Sequence, residues 1–244
     1  MPAWIRRFTP PRFSLSVALA LLTSLAPLPG QAQDKHPMAE RTQACTACHG
    51  DQGKAGPDGY YPRLAGKPAG YLFNQLMNFA EGRRHYALMN GLIAPLSPEY
   101  LHDMADYFAS LDVPYPPPAA ATAPAAVLQR GKSLVLQGDR ALGIPACVQC
   151  HGTALTGVLP ATPGLLGLPR DYLNAQLGGW QTGQRKARAP DCMAEVARKL
   201  SSTDVNAVTQ WLAAQAVPVP AKPATARPAA AASGPTLPTC SPTP

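Results

Sequence analysis

The chain predicts an all-α protein made of two tandem copies of one small domain, and three observations carry that prediction. Apolar residues recur at helical spacing in both halves, and neither half holds a convincing alternating strand run. The two halves repeat one another at an offset near 102 residues. Each half also carries one five-residue pattern, Cys45-Thr46-Ala47-Cys48-His49 and Cys147-Val148-Gln149-Cys150-His151.

The repeat extends well beyond the cysteines. At an offset of 102, Cys45, Cys48, His49 and Gly50 fall on Cys147, Cys150, His151 and Gly152. At 101, Pro62 meets Pro163, Gly66 meets Gly167, Tyr71-Leu72 meets Tyr172-Leu173, Gln75-Leu76 meets Gln176-Leu177, and Gly82 meets Gly183. At 104, Met89 meets Met193, Leu96-Ser97 meets Leu200-Ser201, and Tyr107 meets Trp211. Small shifts of this kind are loop insertions in a duplicated domain.

Helices are expected near Met38 to Cys48, Ala69 to Glu81 and Pro98 to Leu111 in the first half. Their counterparts lie near Val127 to Gln137, Arg170 to Trp180 and Ser202 to Ala216. Pro98 suits a first helical position with Ser97 as cap, and Ser201 or Ser202 caps the counterpart. Between the halves, residues 114–126 are rich in Pro and Ala and read as a semi-rigid linker. The domains are therefore placed at 33–113 and 127–217. Residues 218–244 hold almost no large apolar side chains and read as a disordered Pro/Ala tail.

Residues 1–32 read as a secretory signal peptide. Arg6, Arg7 and Arg12 precede an apolar run from Leu15 to Ala26, and Gly30-Gln31-Ala32 offers small residues for cleavage. The run is shorter than the ~20 residues of a spanning helix, although an uncleaved anchor holding a membrane-bound adaptor is the rival reading. Export predicts a periplasmic protein of 212 residues. Net charge is +7 overall. Residues 33–113 carry seven basic and nine acidic side chains, whereas 114–217 carry nine and five. That asymmetry suits oriented docking to charged protein partners. No dense Lys/Arg stripe supports nucleic-acid binding.

The Cys-x-x-Cys-His pattern indicates covalent haem attachment, two thiols holding one porphyrin and the His lying under its iron. A zinc ribbon places its pairs roughly 15–20 residues apart, but Cys147 lies 99 positions beyond Cys48. A thioredoxin-type motif needs a βαβ context that is absent here. Two patterns therefore imply two haem c groups with iron.

An electron carrier needs a sixth iron ligand, and Met sulfur raises the potential. Met193 is the only Met after Met104 and lies 42 residues beyond His151. In the first half Met77, Met89 and Met104 compete. Met77 and Met104 fall within expected helices, whereas Met89 lies in an expected loop, 40 residues past His49, and matches Met193. His85 and His102 offer a bis-His alternative, but neither has a counterpart and both read as surface residues. Pro62 and Pro163 supply carbonyls for the Nδ1 protons of His49 and His151, or are simple turn prolines. Arg83, Arg84, Arg185, Lys186 and Arg188 face haem propionates, acidic partners or solvent. Cys192 and Cys240 are left over. They pair with each other, or Cys192 supplies a competing axial thiolate beside Met193.

These residues resemble the two-haem cytochromes c of the cytochrome c4 type over residues 33–217. Tyr61-Pro62-Arg63-Leu64-Ala65-Gly66, Tyr71-Leu72 with Gln75-Leu76, Gly82-Arg83 and Met89-Asn90-Gly91 carry the resemblance. It implies two class I cytochrome c domains with their haems close, axial pairs His49/Met89 and His151/Met193, and proline carbonyls on the histidines. It also implies single-electron shuttling in the periplasm between respiratory partners such as a dehydrogenase and a terminal oxidase, without catalysis. The second half departs from the pattern: the segment from Gly183 to Met193 is three residues longer than its match, and Cys192 is unexplained. The alternative function is a periplasmic dehydrogenase of sulfur compounds or alcohols, or its haem subunit, for which Cys192 is the only support.

Overall fold

Prolines and short polar side chains decide where the longer helices begin. In the computed structural model, which describes residues 37–56, 59–229 and 235–241, α3 (Ala69–Ala80), α6 (Ala125–Leu136) and α8 (Arg170–Thr182) each start directly after a proline. α5 (Pro98–Ser110) starts at Pro98, and the Ser97 hydroxyl accepts the Tyr100 N–H. α10 (Ser202–Ala213) carries a full capping box, with Ser201 and Asp204 satisfying each other's backbone N–H groups. The expected signal peptide lies outside the described residues.

The expected first helix is two. α1 (Met38–Arg41) ends at Thr42, whose hydroxyl donates to the Met38 carbonyl at 2.8 Å, and α2 (Gln43–His49) restarts beyond it. In the second half the attachment turn is α7 (Val148–His151). Besides α7, two helices lie outside the expected set, α4 (Ala87–Ile93) and α9 (Cys192–Lys199). Met89, expected in a loop, is the third residue of α4. Both helices are too short, at seven and eight residues, for an apolar period to mark them over the window that a sequence reading needs. A two-residue hairpin, β1 (Gly157–Val158) with β2 (Thr162–Pro163), was also unexpected, because elements this short leave no alternating pattern.

Each half has its own core. In the first, α3 and α5 bury Leu72, Phe79, Leu101, Met104 and Phe108. In the second, α6 crosses α10 while α8 covers their apolar side, burying Leu134, Val135, Tyr172, Leu173, Val205, Val208 and Leu212. The crossing requires Gly131, because a Cβ there would stand 2.1 Å from the Ala207 carbonyl oxygen. Arg130 ties α6 to the start of α10, donating Nε to Asp204 at 2.8 Å and Nη1 to Asp139 at 3.0 Å.

The linker is held at its first residues. Arg63 is buried, donates to the carbonyls of Val113 and Pro114, and stacks its guanidinium 3.9 Å over the Tyr115 ring. Tyr115 in turn lies against Gly167, whose φ of +67° and lack of a side chain make room for it. The tail departs from the expected disorder where it is described. Ala224 bridges Val158 in parallel, and Cys240 is disulfide-bonded to Cys192. Composition alone misses this, since a covalent link and three backbone bonds need no hydrophobic side chains.

Gly131→Val is expected to lower stability by about 1–3 kcal/mol in chemical denaturation, because the helix crossing must open. Burial pushes the Asp204 carboxyl up, but hydrogen bonds from Arg130 and Ser201 outweigh it and hold the pKa below its usual 3.8. A depressed carboxylate contributes stability above its unfolded value and loses it as pH falls through the folded one. Stability is therefore expected to decline below about pH 4, and less steeply in Asp204→Asn, when denaturation midpoints are compared across pH.

Candidate haem sites and the interface between the halves

Both histidines end a short helix and turn inward. His49 and His151 are each 6% exposed. His49 Nδ1 lies 2.8 Å from the Pro62 carbonyl, and His151 Nδ1 lies 2.7 Å from that of Pro163. A carbonyl only accepts, so the proton sits on Nδ1 and Nε2 keeps its lone pair. Burial lowers both pKa values, which favours that neutral form. The arrangement is that of a metal-binding imidazole oriented by a backbone acceptor. In the second half the acceptor is placed by the hairpin, since Pro163 of β2 pairs with Gly157 of β1.

The cysteines sit one turn ahead of each His. Cys45 lies partly buried against the first core, and Cys147 against the second. Burial raises the Cys147 thiol to about 12. Such a thiol is neutral, unlike a zinc-bound or redox-active thiolate. Among the described residues, no three His, Cys, Asp or Glu side chains cluster as a metal site.

The methionine helices are anchored by polar side chains that the sequence reading passed over. Asn90 accepts the Tyr86 N–H at 2.8 Å and donates Nδ2 to the carbonyls of Phe79 at 2.6 Å and Arg84 at 3.1 Å. Asp191 caps α9 by accepting the Ala194 N–H at 3.1 Å and also binds the Ala187 N–H at 2.7 Å. Asp before a helical turn is a readable cap signal; Asn90 has no local signature. Met89 packs against one cluster with Cys45, Met77 and Met104, so packing alone does not single it out. Met193 shares with Cys147, Cys150 and His151 the lining of a cavity of about 380 Å³, which Met77 of the first half also reaches.

That cavity fits an apolar group bearing carboxylates. Leu168, Leu173, Leu177 and Val208 line it, together with the cations of Lys67, Arg83, Arg185, Arg188 and Arg227. Trp180 also lines it, and its indole N–H is buried with no partner among the described residues. A buried donor without an acceptor costs about 1–3 kcal/mol. A haem propionate reaching this wall would supply the acceptor.

The halves meet in a crossed pair of arginines. Arg84 and Arg185, equivalent in the repeat, form an antiparallel bridge. Arg84 donates to its own Gln75 at 3.1 Å and across to Gln176 at 2.7 Å; Arg185 donates to its own Gln176 at 2.6 Å and across to Gln75 at 3.0 Å. Longer contacts join Arg84 to Tyr172 and Arg185 to Tyr71. Neither arginine has a carboxylate partner among the described residues. Burial pushes the Tyr71 phenol up, but Arg185, Arg84 and Lys67 outweigh it and bring it down to about 8. His85 and His102 lie on the surface, the latter paired with Asp106 at 3.3 Å. Cys192 is bonded to Cys240, which removes it as an axial thiolate and removes the support for the enzyme reading.

No protein-family model matches the chain. It is 38% identical over 224 residues to the thiosulfate dehydrogenase electron acceptor of Thiomonas intermedia (strain K12), covering 91% of this chain and 100% of that protein. Reduced recombinant cytochrome c4 from Pseudomonas stutzeri superposes with a TM-score of 0.63 at 30% identity, over 72% of this chain and 95% of that one. Thiosulfate dehydrogenase from Marichromatium purpuratum, in its as-isolated form, gives a TM-score of 0.62 at 31% identity, over 73% of this chain and 39% of that one.

Arg185→Ala leaves Gln75 and Tyr71 short of a donor and is expected to loosen the interface. The N–H groups of His85 and Lys186 cross it to Gln184 and Arg83. Hydrogen exchange should show both amides losing protection by about tenfold or more, as even 1.4 kcal/mol of lost local stability requires.

Proposed function

We propose that this chain, which belongs to the cytochrome c4 family, takes electrons from a thiosulfate-oxidising dehydrogenase and passes them on singly through two covalently attached haems. The chain is an electron carrier, not an enzyme. One observation carries the haem reading: Cys147, Cys150, His151 and Met193 line a single cavity whose indole donor lacks an acceptor among the described residues. The dehydrogenase partner rests on the full-length similarity to an electron acceptor of that enzyme.

Each haem would supply a one-electron iron couple. Cys45 and Cys48 would hold one, Cys147 and Cys150 the other. His49 and His151 present Nε2, their rings fixed by the Pro62 and Pro163 carbonyls. Met89 and Met193 would supply the thioether that favours reduced iron. With His and Met side chains holding each iron, no open place would be left for substrate. Arg84 and Arg185 place positive charge between the halves, where it steadies carboxylates and brings the two redox sites into fixed register.

The domains are 33–113 and 127–217, behind a signal peptide at 1–32 that exports the chain to the periplasm. No helix among the described residues is long and apolar enough to cross a membrane. The acidic first half and basic second half orient the carrier between the dehydrogenase and an acceptor such as a terminal oxidase.

Haem analysis of the loaded protein should give two haem c per chain. Met89→Ala and Met193→Ala should each abolish the Met-to-iron charge-transfer band of one haem and lower one midpoint in a redox titration, leaving the other in place. A band unchanged in either variant would sink that ligand assignment. Stopped-flow mixing of the ferric protein with a thiosulfate dehydrogenase and thiosulfate should reduce it within the enzyme's turnover time; no reduction would refute the partner.

A further inference from the structure

The C-terminal tail reaches the second site at two places. Beside the attachment turn, Thr156 Oγ1 donates to the Lys222 carbonyl at 2.9 Å. The Ala224 N–H donates to Gly157 at 2.9 Å, and the Leu159 N–H donates to Ala224 at 2.8 Å. Arg227 follows and lines the cavity with His151. At the second place the Ser241 N–H donates to the Pro190 carbonyl at 2.8 Å, and Cys240 is bonded to Cys192. Cys192 and Met193 are the first two residues of α9. The tail thus fastens the strand side of the cavity and the helix that carries its methionine.

The restraint has a clear physical purpose. A helix of eight residues is marginal by itself, and the segment before it is longer than its counterpart in the first half. Gln181 of α8 holds the far end of α9, donating to the carbonyls of Ala197 at 2.9 Å and Leu200 at 2.8 Å. Asp191 caps the first turn only from within the preceding segment, and the disulfide adds a tie at that end, closing 48 positions of chain onto the first residue of α9, next to Met193. In the first half the corresponding job falls to Asn90, and the chain leaves along Arg63 without returning.

We propose that the Cys192–Cys240 disulfide, with the tail it anchors, is a positioning element of electron transfer that holds Met193 at the iron of the second haem. The proposal rests on Met193 being that ligand. Without the restraint, α9 detaches more readily and the thioether competes less well for the sixth position.

The test uses the full-length, haem-loaded protein in a Met89→Ala background, so that the charge-transfer band reports on the second haem alone. Cys192→Ser with Cys240→Ser is compared with the parent; a single substitution is avoided because it frees a thiol beside the iron. A chain ending at Ala229 with Cys192→Ser is the second variant, which keeps the anchor at Lys222 and Ala224 but lacks the disulfide-bonded end of the tail. In both, the ferric band should weaken and the affinity for added imidazole should rise by about tenfold, as expected when a ligand-competent state loses population. Unchanged band and affinity in either loaded variant would overturn the proposal. Met193→Ala separates the two ideas. A band lost there but intact in the serine pair refutes positioning and leaves the ligand assignment standing. A band retained in all refutes both.

Discussion

A buried imidazole must give its N–H to an acceptor or lose about 1–3 kcal/mol, and in this protein that requirement organises both sites. Pro62 and Pro163 provide the acceptors from backbone that carries no N–H of its own. The bond holds each ring in one tautomer and one orientation, with Nε2 presented to the interior. The attachment turns, the loops that return to the prolines and the small hairpin of the second half all keep that donor and acceptor together. The rest of each half supplies walls around the fixed ring.

The second constraint is electrostatic. Two guanidiniums face one another where the halves meet, and both glutamines of the repeat are shared between them. Neutral amide oxygens satisfy the donors but leave the charge uncompensated, which draws Tyr71 down. Such a junction favours carboxylates on the group it surrounds. Because each arginine bonds to both halves, the same charges that suit that group also align the two halves.

The duplicated domain is not used symmetrically. The first half anchors its methionine helix through Asn90; the second holds the end of α9 through Gln181, caps its start with Asp191 and adds a covalent tie from the tail. The difference follows from length. A longer approach to α9 gives its first turn more freedom, and a distant disulfide limits that freedom without requiring a larger core. Cys192, which in sequence suggests a rival iron ligand, is thereby a structural residue.

Much of this protein is legible in the sequence. The Cys-x-x-Cys-His patterns, their repeat and the five longer helices follow from spacing, caps and equivalence, all of which are local or self-referential, whereas the roles of Pro62 and Pro163 stayed open on spacing and were favoured only by the family resemblance. What stayed hidden depends on contacts distant in sequence or on elements too short to show a period. α4 and α9 span only two turns each, so the helical setting of Met89 and Met193 was missed. Asn90, Arg63 and the crossed arginines act on backbone or side chains that only folding brings near. The pairing of Cys192 with Cys240 was one possibility among several, since a Pro/Ala-rich tail has no apolar signal to say where it docks. Composition and spacing determined what each half is built around; the tertiary structure decided which polar groups and which covalent tie hold those parts in place, because such bonds form between partners that the chain order does not set side by side.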